Sequence, residues 1–249
     1  MKRKLIILGI AALGLMSCVS AQKKLEMQRE KDPQYQYDKA VVCLQYNVPD
    51  DAFKYLNQAL ALDPRHYLSY NLLGLAHMMK GNLPQAKQAL QKCLDIKPDF
   101  SEAHNNLGTV YQESGEVDPA EAEFKKAFAL DQNYNASYNL AKLYYQQNKL
   151  DGALDFVQKS LQKYPKSVLA WNLEGLIYDG REKYDAAIAS YQQALKLVPN
   201  ELNVSFNLAA TYYKSGDKSK AKDLLEKIFP QAKTDELKAK IQDLLKRLK

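Results

Sequence analysis

The chain has 249 residues, of which 46% are hydrophobic and 26% charged, a composition typical of a folded globular protein and not of a disordered one. Only 10 glycines and 9 prolines are present, too few for a loop-rich β fold. The formal net charge is +6, but Lys2, Arg3 and Lys4 contribute three of these charges. No basic stripe interleaved with aromatic residues is present, so we expect no nucleic-acid partner.

The N-terminus has the parts of a secretory signal. A basic segment, residues 1–4, precedes an apolar segment, residues 5–16, that ends in small residues. The apolar segment is too short to span a bilayer comfortably as a helix. We therefore expect residues 1–17 to direct export.

Residues 15–18 (LMSC) resemble the lipobox of bacterial lipoproteins. The resemblance implies that residues 1–17 are removed and that the thiol of Cys18 receives diacylglycerol, with its freed amine usually acylated too. Two or three acyl chains hold a protein stably on a membrane. Val19 is not the aspartate that retains enteric lipoproteins in the inner membrane, which favours an outer-membrane, periplasm-facing location. Residues 18–32 are predicted to be a lipidated tether. The alternative is an ordinary signal peptide with a chance cysteine.

An internal period of 34 residues follows the tether. Alanine recurs at intervals of 34, 34, 33, 34 and 34 residues, at Ala52, Ala86, Ala120, Ala153, Ala187 and Ala221. The same apolar residues, glycines and prolines surround these alanines. The clearest copies contain Tyr70, Leu73, Gly74, Gly81, Leu90 and Pro98; Leu107, Gly108, Tyr111, Gly115, Phe124 and Ala127; and Trp171, Gly175, Tyr178, Tyr184, Tyr191, Ala194 and Pro199.

This pattern resembles the tetratricopeptide repeat, W-x2-L-G-x2-Y followed by A-x3-F-x2-A and a closing proline, over about residues 33–235. The resemblance implies an all-α fold, a right-handed superhelical solenoid of six helical hairpins with a C-terminal capping helix. The repeats are predicted at about 33–66, 67–100, 101–133, 134–167, 168–201 and 202–235. Such repeats are stable only when stacked, because a single hairpin cannot bury its apolar face.

The recurring residues each have a physical role. Glycines such as Gly74 and Gly175 are expected where the two helices of a hairpin approach most closely, with the recurring alanine as the matching small residue. Prolines such as Pro98 end the second helix, because proline cannot continue it. The remaining glycines occupy the turn inside the hairpin.

The last repeat needs a cover, and residues 235–249 are predicted to supply a capping helix. Leu237, Ile241, Leu244, Leu245 and Leu248 form one apolar stripe at helical spacing, and Thr234 is a predicted N-cap. The alternative is a separate partner-binding helix.

Three departures from the pattern are informative. The first repeat has Lys39 and Ala40 where leucine and glycine are usual, which makes its first helix the weakest assignment. The third repeat is one residue short before Tyr134. Glu174 replaces the usual leucine, and it is interpreted as a partner contact, a buried charge with a mate, or a shifted side chain.

No arrangement of residues typical of catalysis, metal binding or a cofactor is found, so the chain is predicted not to be an enzyme. His66, His77 and His104 are expected in structural or surface roles. Cys43 and Cys93 fall at small buried positions and are interpreted as core thiols, with a disulfide between them as the alternative.

In these repeats the first helices line the concave face, and the resemblance therefore places a partner-binding groove there. Two features are usable: a run of asparagines, whose amides both donate and accept, and a flexible Leu/Met surface in the second repeat. The alternative is that asparagine is common in this family and that Leu72 and Leu75 pack against neighbouring helices. The predicted groove residues are Leu68, Asn71, Leu72, Leu75, Met78, Met79, Asn105, Asn106, Tyr138, Asn139, Tyr145 and Asn172.

A lipidated chain with six repeats is similar in architecture to the pilotin lipoproteins of type IV pilus systems. The resemblance implies a protein partner, an outer-membrane secretin subunit, whose localisation and assembly the chain assists. Repeat motifs specify fold and not partner. The alternative is a periplasmic adaptor that docks envelope hydrolases or proteases.

Overall fold

The computed structural model describes residues 24–248, which are helical almost throughout. Residues 24–29 are helical, and they are followed by α1 (Pro33–Gln45), α2 (Pro49–Leu62), α3 (Tyr67–Met79), α4 (Leu83–Ile96), α5 (Ser101–Glu113), α6 (Val117–Asp131), α7 (Tyr134–Gln146), α8 (Leu150–Lys163), α9 (Val168–Gly180), α10 (Tyr184–Leu197), α11 (Leu202–Lys214), α12 (Lys218–Ile228), a 3₁₀ turn (Phe229–Gln231) and α13 (Asp235–Arg247). The predicted signal peptide, residues 1–17, the lipid-attachment residue Cys18 and the start of the tether lie outside the described residues.

The turn between the two helices of each hairpin contains one residue in the left-handed conformation. Glycine occupies it in three hairpins, at Gly81, Gly115 and Gly216, with φ of 73°, 78° and 92°. Glycine adopts this conformation without the steric cost of a side chain. Asn47, Asn148 and Glu182 hold the same place elsewhere.

The missing residue of the third repeat is absorbed where α6 meets α7. Only Gln132 and Asn133 separate these helices, and Gln132 adopts φ of 53°. Asn133 then caps α7, because its side-chain oxygen accepts hydrogen bonds from the backbone N–H groups of Asn135 and Ala136. The shortened linker therefore lacks the proline that follows α2, α4, α8 and α10.

The described helices form two compact units, residues 24–115 and residues 116–248. In the first unit, α1 pairs with α2 and α3 with α4, and α5 packs against α4. One core cluster is built on Ala52, Leu56 and Ala76, and another on Leu90, Cys93 and Leu107.

The second unit is built from the hairpins α7–α8, α9–α10 and α11–α12, with α6 packed against α7. The capping helix α13 contacts α11 and α12, and it buries Ile241 fully and Leu244 almost fully. Thr234 accepts a hydrogen bond from the backbone N–H of Leu237, as predicted for its N-cap.

In two hairpins the close contact between the helices pairs a glycine with a large side chain. A Cβ atom at Gly74 would lie 2.6 Å from Cγ of Leu90, and one at Gly175 would lie 2.5 Å from Cε1 of Tyr191. The recurring alanines Ala86 and Ala187 are fully buried in these hairpins, but the side chain nearest to the glycine is not theirs. The facing residue comes four positions later, one helical turn along the second helix.

The first repeat is a regular hairpin despite its unusual sequence. Asp32 caps α1 by accepting a hydrogen bond from the backbone N–H of Gln34 at 2.9 Å, and Ala40 is fully buried at the position of the usual glycine. The ammonium group of Lys39 lies 4.9 Å from the ring centroids of both Tyr35 and Tyr55 and forms an ion pair with Glu30. Aromatic faces attract such a cation, so the lysine stem packs where leucine is usual.

We expect Gly175→Ala to lower the free energy of unfolding by about 1–3 kcal/mol. The added methyl group overlaps the ring of Tyr191, which is 1% exposed and has no free space to enter. Urea denaturation followed by circular dichroism measures this change. Gly180→Ala on the same helix is the matched control, because its Cβ would lie an ordinary 3.5 Å from Leu150. Equal stability of the two variants would contradict the close-contact role of Gly175.

Candidate functional site

The first helices of successive repeats contact one another within each unit, α3 with α5 in the first and α7, α9 and α11 in the second. They carry all the residues predicted for the groove. Each unit contains its own part of that residue set.

In the first unit, the asparagine run is engaged in hydrogen bonds. The side-chain amide of Asn106 donates to the side-chain oxygen of Asn71 at 2.9 Å. Asn71 and Asn105 are buried, with 6% and 9% exposure, and Asn106 is half-buried. A buried amide costs free energy unless it is hydrogen-bonded. The asparagines thus join neighbouring helices, and Asn106 is the member best placed to meet a ligand.

The Leu/Met surface of the second repeat is smaller than predicted. Leu72 is 8% exposed within the first core cluster, and Leu75 packs against it. Met78 packs against the cluster around Leu90. Met79, which is 46% exposed, presents the most apolar surface to solvent, and Leu68, Leu75 and Met78 are half-buried. The alternative interpretation of Leu72 and Leu75 as packing residues is therefore the one that the structure supports.

In the second unit, Asn207 donates to the side-chain oxygen of Asn172 at 3.0 Å, which repeats the pairing of Asn106 with Asn71. Both pairs join residues 35 positions apart. Tyr138 and Tyr145 are half-buried and pack against the core cluster around Val157. Asn139 is also half-buried.

A polar cluster between α9 and α11 was not found from the sequence. Asp179 accepts a hydrogen bond from the hydroxyl of Thr211 at 3.1 Å and forms an ion pair with Lys214. Asp179 and Lys214 lie at the C-terminal ends of two successive first helices, 35 positions apart, so the repeat period is the signal that could have found this cluster. At the opposite, N-terminal end of α9 lies Leu169, which is 64% exposed.

Glu174 is 7% exposed, so it does not contact a partner from its place in the fold. The hydroxyl of Ser190 donates to its carboxylate at 2.7 Å, and the amide of Gln158 also approaches it. Among the described residues no lysine or arginine forms an ion pair with it. Burial therefore raises the pKa of Glu174, against the smaller opposing effect of these hydrogen bonds.

The histidines and cysteines have structural surroundings. His77 stacks on Phe53 with ring centroids 4.7 Å apart, and Nε2 of His104 hydrogen-bonds to the carbonyl of Pro98. Cys43 and Cys93 are free thiols, and burial raises the pKa of Cys93 to about 12. The structure therefore supports the interpretation as core thiols and not the disulfide.

The described residues contain no group of three or more histidine, cysteine, aspartate or glutamate side chains that could hold a metal ion. Between residues 24 and 248 no helix has both the length and the apolar character that crossing a membrane requires.

Comparison with known families and structures agrees with this architecture. Two family profiles described as tetratricopeptide repeat match residues 47–99 and 77–136, and one described as tetratricopeptide repeat protein 21 C-terminal ARM domain matches residues 134–244. The chain is therefore a tetratricopeptide-repeat protein, and the predicted all-α fold of tetratricopeptide hairpins is confirmed.

Similar proteins fall into different functional contexts. The human N-alpha-acetyltransferase 16, NatA auxiliary subunit, is 38% identical over 61 residues, which are 24% of this chain and 7% of that protein. The structure of the APC/C hetero-tetramer Cut9–Hcn1 matches with a TM-score of 0.78 and 19% identity, covering 92% of this chain and 45% of the other. This chain thus spans less than half the length of either relative.

Two further structures are closer in length. One is that of Pseudomonas aeruginosa pilF, which is 25% identical with a TM-score of 0.64 and covers 73% of this chain and 88% of its own. The other is PilW, described as a widely conserved type IV pilus biogenesis factor, which is 18% identical with a TM-score of 0.76 and covers 86% of this chain and 98% of its own. The likeness to PilW shows the fold alone.

We expect Glu174→Gln to raise the free energy of unfolding at neutral pH, because glutamine keeps the shape of the side chain and removes the buried charge. Since burial raises the pKa of Glu174, the folded state binds its proton more tightly than the unfolded chain does. The stability of the natural chain therefore falls as the pH rises from the pKa of Glu174 in the unfolded chain towards its raised pKa in the folded state. The advantage of the variant should shrink near about pH 4, where an ordinary glutamate is half-protonated.

Urea denaturation of both chains at several pH values measures this difference. Glu182→Gln, at an exposed position, is the control and should show little pH-dependent change. A constant difference between Glu174→Gln and the natural chain at all pH values would show that charge burial is not its cause.

Proposed function

We propose that this chain is a non-enzymatic, lipid-anchored scaffold that assists the outer-membrane localisation and assembly of a type IV pilus secretin. Its lipid is attached at Cys18, and it faces the periplasm. Its secretin partner binds to the first helices of the repeats.

The observation that carries this proposal is the likeness to Pseudomonas aeruginosa pilF. That structure is matched over most of both chains, at 25% identity. Stacked helical repeats act as protein-binding surfaces, and the described residues hold no metal-binding cluster.

Each unit has its own apolar anchor for the partner, Met79 in the first unit and Leu169 in the second. These side chains are 46% and 64% exposed on the helices that carry the asparagine pairs. Each would bury its remaining apolar area against the partner, while the neighbouring amides, Asn106 above all, would hydrogen-bond to partner backbone. Apolar anchors beside polar groups are the usual composition of such a site.

The test uses the bacterium that encodes this chain, with the gene deleted and then restored. We expect the deletion to leave the secretin as monomers outside the outer membrane, as seen by membrane fractionation and by immunoblots of detergent-resistant multimers. Met79→Asp combined with Leu169→Asp should lower the multimer fraction by about tenfold, because a desolvated carboxylate costs several kcal/mol at an apolar contact.

Leu130→Asp combined with Leu197→Asp is the matched control. These leucines are 45% and 39% exposed, and they lie on the second helices of their repeats. They should leave secretin assembly unchanged. Normal secretin multimers in the deletion strain would refute the proposed function. If cell-wall hydrolases or proteases, and not a secretin, are recovered bound to the natural chain, an envelope adaptor would be favoured.

The lipid anchor is tested separately. Labelled palmitate should enter the natural chain and should be absent from Cys18→Ala, and the variant should leave the membrane fraction. Labelling that persists in the variant would refute attachment at Cys18.

A further inference from the structure

A second potential binding surface lies at the C-terminal end of the array. A cleft of about 730 Å³ is lined by residues of α12, the 3₁₀ turn and α13. Its floor is formed by Phe229, Leu245 and Leu248, which are half-buried members of the C-terminal core cluster. The capping helix therefore closes the core but leaves an apolar depression beside itself.

Lysines form the sides of this cleft. Lys222 on α12 and Lys246 on α13 both line it, with Glu226 between them at 3.8 Å from Lys222. Lys246 forms no ion pair with any described residue. Lys218 precedes Lys222 by one helical turn, and Lys238 precedes Lys246 by two turns, so each helix extends its positive charge along the cleft side.

The charge of the chain is concentrated in this region. Residues 218–249 contain ten lysine or arginine residues against five aspartate or glutamate residues. Residues 18–217 contain 22 against 24, and are thus slightly negative. The described lysines Lys218, Lys227, Lys233, Lys238 and Lys246 pair with no carboxylate among residues 24–248. Of the charged residues that line the cleft, Lys246 is unpaired within residues 24–248 and Lys222 reaches only Glu226 at 3.8 Å, so the lining has a net positive charge. A positive rim beside an apolar floor is complementary to an acidic amphipathic ligand.

We propose that this cleft binds an acidic amphipathic helix of a partner protein. The apolar side chains of that helix fill the floor, and its glutamates or aspartates pair with Lys222, Lys246 and Lys238. A groove between two helices accepts a third helix through anchors three and four residues apart. This site goes beyond the proposed secretin-binding function and does not depend on it.

The test measures binding of a fluorescein-labelled peptide of about 16 residues, four helical turns, to the full chain in phosphatidylcholine nanodiscs. The peptide consists of two blocks of about eight residues. Each block has leucine at positions 1, 4, 5 and 8 and glutamate at the other positions. Fluorescence anisotropy, corrected with empty nanodiscs, gives the Kd. We expect saturable binding that weakens between about 50 and 200 mM salt and is absent when the leucines are replaced by alanine.

The decisive variant is Lys222→Glu combined with Lys246→Glu, which should raise the Kd about tenfold or more. Lys163→Glu combined with Lys166→Glu is the matched control, since these exposed lysines lie on the second unit outside the cleft and give the same change in net charge. A peptide with lysine in place of glutamate should bind the variant with Lys222→Glu and Lys246→Glu more tightly than it binds the natural chain. Circular dichroism of each variant establishes that the fold is retained.

Three outcomes would overturn this assignment. They are no saturable binding of the acidic peptide, an equal loss of affinity in the control variant, or lysine-dependent binding of phosphatidylglycerol nanodiscs without peptide binding. The last result would assign the cleft to a membrane surface. None of these outcomes bears on the secretin assay, which depends on residues of other helices.

Discussion

This structure depends on a close contact between the two helices of a hairpin, in which a glycine of the first helix meets a large side chain of the second. At Gly74 the second helix supplies Leu90, and at Gly175 it supplies Tyr191. The close approach brings the flanking residues of both helices into contact and defines which faces remain for the neighbouring hairpin. Each hairpin buries its outer apolar face only against the next hairpin. A substitution that disrupts one such contact therefore weakens the packing of the neighbouring hairpins as well.

The polar groups in these units follow from the same close packing. First helices of successive repeats lie so near one another that Asn106 reaches Asn71 and Asn207 reaches Asn172. A buried amide must be paired, so these asparagines hold the helices in register while the less buried members retain access to a ligand. Glu174 is the exception, because its burial is accompanied by neutral partners and not by a cation.

The sequence was sufficient for the fold because its signals were local and repeated. The 34-residue spacing, the turn glycines and the N-cap Thr234 all depend on neighbouring residues, and each is found in the structure as expected. The surface was harder to predict. Leu72 and Met78 were placed on it by counting positions within one repeat, but their burial is decided by side chains of adjacent hairpins. Asp179 was missed because its partners, Thr211 and Lys214, lie in the following repeat.

The polar outer face of α13 has a consequence for the behaviour of the chain in solution. This helix covers Leu225 and Ile228, which would otherwise form an open apolar end like those between any two hairpins. A chain cut before Asp235 would carry that end into solvent and would associate end to end with other copies or unfold from that side. The last helix thus limits the length of the array and keeps one folded chain from becoming the first unit of a fibre.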